Sequence, residues 1–153
     1  MNPERKIEPS KILILDIKTI QGQITSEEKE NMGVMGGHNF QFELTTGLNP
    51  DENVIGLKLK IDIDAIDKEG KSIGITGSYT HEIIFNVQNL NDFLDVKEVN
   101  GKKEYLIDSI FGATLAGIIY STVRGIIFTR TQGTSLGVVV LPVIDPQVLV
   151  PYK

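Results

Sequence analysis

The residues with the most obvious chemical potential are the two histidines, His38 and His81. They fall on different predicted elements, so a metal site would need distant carboxylates such as Glu43 or Glu82 to converge on them. The sequence contains no cysteine, which excludes disulfides, cysteine-ligated zinc and a thiol nucleophile. No serine lies in a nucleophile-elbow string, and neither histidine has an aspartate in an obvious triad arrangement. We therefore expect neither a metal site nor an enzyme, unless a group of buried catalytic side chains surrounds His81.

Two strings match ligand-binding loops only in part. GVMGGH at residues 33–38 has the glycines of a phosphate loop but lacks the GK[ST] ending that would place a lysine on phosphate. DIDAIDKEG at residues 62–70 begins like a calcium loop, but its third acidic residue falls at the wrong offset. Asp62 and Asp64 occupy alternate strand positions, so a solvated sheet face followed by a turn is the favoured interpretation.

The elements that position these residues are predicted to be antiparallel strands, because apolar and polar residues alternate over much of the chain. β-Branched residues at 11–21 predict a first strand that is apolar on both faces at its start and is therefore covered on two sides. Residues 40–44, 54–66 and 73–87 predict three more strands, the last two joined as a long hairpin.

Two local signals modify this sheet. Gly74 and Gly77 indicate a bend or bulge near the middle of the fourth strand. Between the first two strands, Thr25 and Glu28 have the spacing of a capping box, and Gly33 could end a helix begun there. That segment is predicted to be a short helix or a loop.

Residues 108–129 form the most unusual segment, since Arg124 is the only charged residue after Asp108. On a helix of about 100° per residue, this segment has one broad apolar face. The face consists of Phe111, Leu115, Ile119, Val123 and Ile126, with Ala116 at its edge. Burial of its large side chains is worth roughly 8 to 15 kcal/mol, so we expect the face to cover the sheet.

The opposite side of this helix carries a row of small residues and one arginine, which would let a second backbone approach closely. The row is Thr114, Gly117, Ser121 and Arg124, with Ile110, Ile118 and Phe128 nearby. It predicts a helix-to-helix contact between subunits. One alternative is a cover formed by residues 21–39 and 88–106 of the same chain. The other is a transmembrane span, which the helix is long enough to form but which Arg124 disfavours.

Length and charge narrow the remaining possibilities. A chain of 153 residues fits one domain, residues 1–153. A net charge of -5 argues against nucleic acid as a partner. The apolar run near the N-terminus is interrupted by Asp16 before it reaches the length of a signal-peptide core. We therefore expect a cytoplasmic protein without a membrane span.

The strings IDSIFGATLAGIIY and IIYSTVRGIIFTRTQGTSLGVVVLPVIDPQVLV resemble the bacterial export chaperone family SecB, over roughly residues 11–149. LPV at residues 141–143 occupies the position of that family's Leu-Ala-Pro-Val-like strand. The resemblance implies an α+β fold with a four-stranded antiparallel sheet followed by a long helix. It also implies a homotetramer built as a dimer of dimers, no cofactor, and ATP-independent holding of unfolded polypeptides for delivery to the SecA translocase.

The same resemblance implies that clients bind in apolar grooves lined by aromatic side chains, although any one of these could instead be core. The corresponding residues here are Phe40, Phe42, Phe85, Phe93, Phe111, Tyr120 and Phe128.

Two features depart from the family pattern. Pro146 and Pro151 cannot continue a long helix, so the family's second helix is expected to be short or absent. Ser78 stands near the position of the acidic residue that the family uses to contact SecA. The alternative function is therefore a SecB-like interaction or scaffold protein with one dedicated partner, such as a toxin–antitoxin chaperone.

Overall fold

The computed structural model describes residues 5–27 and 33–150, and its main feature is one antiparallel sheet of four strands. The strands run in the spatial order β1-β4-β3-β2, so β1 and β2 are the two edges. A two-stranded hairpin and one long helix come next along the chain. The bounds are β1 Ile12–Ser26, β2 Gly37–Asn49, β3 Val54–Ile66, β4 Ser72–Val87, β5 Leu94–Val99, β6 Lys102–Ile107 and α1 Ser109–Thr131. The predicted fold class, a sheet of four antiparallel strands followed by a long helix, is confirmed.

The register of the sheet follows from its alternation. Odd-numbered residues of β3 and β4 are paired with one another and buried, as in the Leu59–His81 pair, while their even-numbered neighbours face outward. The glycines predict a bend in the middle of β4, but the bend lies near the start of this strand. There Gly74 has a φ of 82°, and the pairing with β3 shifts register after Asp64. Thr25 lies within β1 and does not cap a helix, and Glu28 is outside the described residues.

Helix α1 begins at an aspartate cap. The Asp108 carboxylate accepts hydrogen bonds from the backbone N–H groups of Ile110 and Phe111 at 3.1 and 3.0 Å. The buried face matches the prediction except at its end, where Ile127 is fully buried and Ile126 is only partly so. Ile127 is four residues after Val123, so it continues the row that the helix lays on the sheet.

The described part of the chain after α1, residues 132–150, is called the return segment because it runs back along the helix. Leu136, Val139 and Leu141 are buried in the core, and the Tyr120 hydroxyl of α1 donates a hydrogen bond to the Pro142 carbonyl. Its one helical element is the single turn Pro146–Leu149, so no second long helix occurs within the described chain. The return segment covers part of α1, whereas the alternative to a subunit contact placed such a cover at residues 21–39 and 88–106. By length and composition α1 alone among the described helices could span a membrane.

Candidate functional site

The predicted groove aromatics separate into three groups. Phe85, Phe93 and Phe111 have at most 1% of their surface exposed, and the rings of Phe93 and Phe111 stack with centroids 4.2 Å apart. Their assignment to an open groove is wrong in this chain, because these side chains fill the core between the sheet and α1. Phe128 lies on the exposed side of α1, away from them.

The remaining aromatics, Phe40, Phe42 and Tyr120, do come together. The rings of Phe40 and Phe42 stack along the inner face of β2 at 6.2 Å, and Phe42 meets Tyr120 edge to face at 5.7 Å. His38 extends the row toward the return segment, where its Nε2 donates to the carbonyl oxygen of Leu136 at 2.7 Å. This row joins β2 to α1, and its two phenylalanines remain partly exposed.

An apolar groove opens at the end of this row, between the edge strand β2 and the hairpin strand β6. Its cavity volume is about 300 Å³, near the lower limit of typical ligand sites. The lining residues are Leu44, Thr46, Leu48, Leu57, Tyr105, Ile107, Gly112 and Val150. The polar side-chain groups of this lining are the hydroxyls of Thr46 and Tyr105. The side chains of the groove are therefore suited to apolar groups of varied shape, and a large part of its remaining exposed lining is polar.

Each wall of the groove follows from strand periodicity. Leu44, Thr46 and Leu48 share the inner face of β2, as they pair with inward-facing residues of β3. Tyr105 and Ile107 are likewise two apart on β6. Gly112 at the start of α1 leaves room for Val150, whose Cγ1 would be 3.3 Å from an added Cβ. Sequence reasoning missed this site because it depends on strands and a terminal segment that are distant along the chain.

A three-part ionic cluster fixes the hairpin and helix beside this groove. The Arg5 guanidinium contacts the Asp95 carboxylate of β5 at 2.6 Å and the Asp108 carboxylate at 3.4 Å. The hydrogen bond with Asp95 raises the pKa of Arg5. Because Asp108 also caps α1, the cluster ties the N-terminal segment to both β5 and the helix start.

The predicted subunit-contact row is only partly open. An added Cβ on Gly117 would lie 3.3 Å from Pro146 of the same chain, so this glycine faces the return segment and is not free for a second subunit. Thr114 and Arg124 are partly exposed and Ser121 is exposed. Gly125, which the sequence prediction omitted, has no atom within 4 Å of an added Cβ.

Large exposed apolar side chains occur on this open helix side and on β1. Ile110 and Phe128 of α1 are 45% and 43% exposed, and Ile14 and Ile17 of β1 are 42% and 46% exposed. Those two β1 residues lie on the sheet face that carries α1, since they pair with the inward-facing Phe85 and Ile83. The open strip is defined as Ile14, Ile17, Ile110, Thr114, Ser121, Gly125 and Phe128. Within one chain the prediction of a first strand covered on two sides is therefore wrong.

The other candidate sites are explained by local structure. The Asp62 and Asp64 carboxylates accept hydrogen bonds from the hydroxyls of Ser78 and Ser72, both at 2.8 Å. The Asp67 carboxylate accepts from two backbone N–H groups of the β3–β4 turn. In the described residues no group of three acidic or histidine side chains is placed to hold a metal ion.

His81 is fully buried on the inner face of β4, and neither ring nitrogen has a hydrogen-bond partner within the described chain. Its ring stacks against Tyr79 with centroids 6.4 Å apart. Burial lowers the pKa of His81, and the positive charge of Arg130 lowers it further. Within the described residues, His81 is therefore a core residue without a hydrogen-bonded acidic or nucleophilic partner.

Comparison with known proteins identifies the fold. No family model matches the sequence, and the curated proteins contain no match. Among solved structures, the chain is similar to the Mycobacterium tuberculosis Rv1957 SecB-like chaperone in complex with a ChAD peptide from the Rv1956 HigA1 antitoxin. That match has a TM-score of 0.62 and 13% sequence identity, and it covers 88% of this chain and 91% of that chain. The fold is therefore SecB-like.

A second match is a protein of unknown function from Streptococcus agalactiae. It covers 86% of this chain and 97% of that chain, at 13% identity and a TM-score of 0.42.

Proposed function

We propose that this protein is a chaperone that holds non-native polypeptide segments in the groove between β2 and β6 without ATP. The observation that carries the proposal is an open apolar groove on a SecB-like fold. Hydrophobic burial and dispersion are non-directional, so such a groove accepts many sequences. Its small volume fits a few side chains of an extended segment. In this proposal the protein catalyses no reaction and uses no cofactor.

The test is suppression of aggregation of a chemically denatured client in the absence of nucleotide. Leu48→Asp places a charge in the groove wall and should abolish suppression, because an unpaired carboxylate opposes apolar burial. Thr45→Asp adds the same charge to an exposed position of β2 and serves as the matched control. The proposal fails if excess wild-type protein leaves aggregation unchanged, or if both variants behave like the wild type.

The second candidate function is a SecB-like protein with one dedicated partner, such as an antitoxin. It is favoured by one observation, that the similar Mycobacterium tuberculosis chaperone was solved with an antitoxin peptide. Affinity capture from the source cell distinguishes the two. A general holdase should retain many unfolded clients, whereas a dedicated chaperone should retain one stoichiometric partner and fail to protect unrelated denatured proteins.

We further propose a homotetramer in which the open strip is covered by a second subunit. Its large side chains are each more than 40% exposed in one chain, and exposed apolar surface of this kind marks interaction sites. The partly exposed Thr114 and the exposed Ser121 and Gly125 allow a second helix to approach. Arg124 lies beside the proposed contact. Gly125 belongs to the contact in place of Gly117, which faces the return segment. Mass measurement in solution at several concentrations tests the assembly.

A cytoplasmic location and delivery to a translocase complete the proposal for an export chaperone. The acidic pair Asp62 and Asp64 lies on the outer sheet face, where a basic partner could bind. Pull-down with purified SecA tests this step, and Asp62→Lys with Asp64→Lys should remove binding. Client holding without any SecA binding would favour the dedicated-partner function.

A further inference from the structure

The groove is bordered by a segment of its own chain. Residues 146–150, called the plug, lie across the start of α1, and Val150 forms part of the groove lining. Added Cβ atoms at Gly112 and Gly117 would each lie 3.3 Å from the plug, at Val150 Cγ1 and Pro146 Cγ respectively. An added Cβ at either helix position would need the contacting plug side chain to shift by a few tenths of an ångström. The seat of the plug thus depends on two glycines, in contrast to Gly125, which faces open space.

The plug is held to the rest of the protein by apolar contact. Its hydrogen bonds are internal or local: the N–H groups of Val148 and Val150 donate to the carbonyls of Asp145 and Gln147 at 3.0 and 3.2 Å. The Gln147 N–H donates to the Asp145 carboxylate at 3.0 Å. Within the described residues, no hydrogen bond joins the plug to α1, β2 or β6. An apolar client segment would make the same kind of contact and could replace it.

We propose that the plug is a displaceable internal competitor that regulates access of polypeptide to the groove. The inference rests on the proposed function, because it assumes that the groove binds apolar segments. When a plug must leave before a client enters, the apparent affinity falls in proportion to the fraction of molecules with an empty groove. Only segments apolar enough to displace the plug therefore bind in the groove.

The first test measures binding of a short fluorescein-labelled peptide of alternating leucine and serine by fluorescence anisotropy. Val150→Ser weakens the seated plug and should lower the Kd about fivefold, since about half of a valine's burial is lost. Val143→Ser is the matched control, because Val143 is 90% exposed and outside the plug. An unchanged Kd for Val150→Ser would overturn the proposal. A raised Kd would also overturn it, by showing that Val150 is a wall of the site instead of a competitor.

The second test locks the plug in place. The chain has no cysteine of its own, so Gly112→Cys with Val150→Cys creates one pair at positions already in contact. The oxidised protein should lose peptide binding and regain it on reduction. Equal binding before and after reduction, with the disulfide verified by mass, would refute the plug. If neither the wild type, Val150→Ser nor the reduced pair binds the peptide, the proposed function itself fails.

Discussion

Replacement of His81 tests the packing of the sheet against α1 through its pH dependence. In the folded chain the ring is fully buried, without a partner for either nitrogen within the described residues, and burial lowers its pKa from the ordinary value of 6.5. When the pH falls below 6.5, the unfolded chain therefore binds a proton on His81 that the folded chain does not bind. The unfolding free energy is therefore highest above this pH and decreases as the pH falls.

The size of the effect follows from linkage of one proton. Lowering the pH from about 7.5 to about 5.5 should cost up to about 1.4 kcal/mol of unfolding free energy if the ring stays neutral in the fold. For a chain of this size that corresponds to a fall in Tm of about 3 to 6 °C. His81→Leu removes both the titration and the unpaired nitrogens, so it should also stabilise the protein at neutral pH by about 1 kcal/mol.

The assay is urea unfolding at fixed protein concentration across this pH range for the wild type, His81→Leu and His38→Gln. His38 is the only other histidine, so His38→Gln controls for the replacement of an imidazole elsewhere. The difference in unfolding free energy between the wild type and His81→Leu should grow as the pH falls. Identical slopes for wild type and His81→Leu would refute the assignment of His81 as a buried neutral residue.

Three further predictions concern the core, the helix cap and the assembly. Phe111→Ala should cost about 3 to 5 kcal/mol of stability, whereas Phe128→Ala should leave the isolated subunit nearly unchanged and weaken assembly, as measured by unfolding and sedimentation. Asp108→Ala should lower the unfolding free energy by about 1 kcal/mol, because the helix loses its cap. Asp108→Ser should restore most of this stability in thermal unfolding. Equal losses in the two variants would show that the cap contributes little. Gly125→Leu should dissociate the proposed tetramer, and Gly125→Ala should have a smaller effect. Light scattering that finds the Leu variant fully assembled would contradict the proposed contact.

The sheet and the helix could be predicted because burial of one face sets the spacing of apolar residues within each element. The residues of β3 alternate strictly, and the row from Phe111 to Val123 repeats every four residues, so each face could be assigned without knowing its partner. The hairpin of β5 and β6 had a usable signal in Asn100–Gly101, whose φ angles of 52° and 77° suit a tight turn. That signal was missed among the charged residues around it.

The site could not be predicted in the same way, because it is formed by contacts between distant segments. Leu48 and Tyr105 become opposite walls only after the sheet and hairpin are placed. The Arg5–Asp108 contact joins residues 103 positions apart, and no local pattern indicates it. Aromatic type alone was also misleading, since Phe85, Phe93 and Phe111 are as suitable for a core as for a groove.

The groove is tested most directly by methyl NMR during titration with the leucine–serine peptide. If the groove binds polypeptide, methyl signals of Leu44, Leu48, Ile107 and Val150 should shift together and saturate with one Kd. Leu13, an exposed residue on the opposite edge strand, should remain unchanged. Saturable shifts at the open strip or at Leu13, with none in the groove, would contradict the central claim that this groove is the binding site.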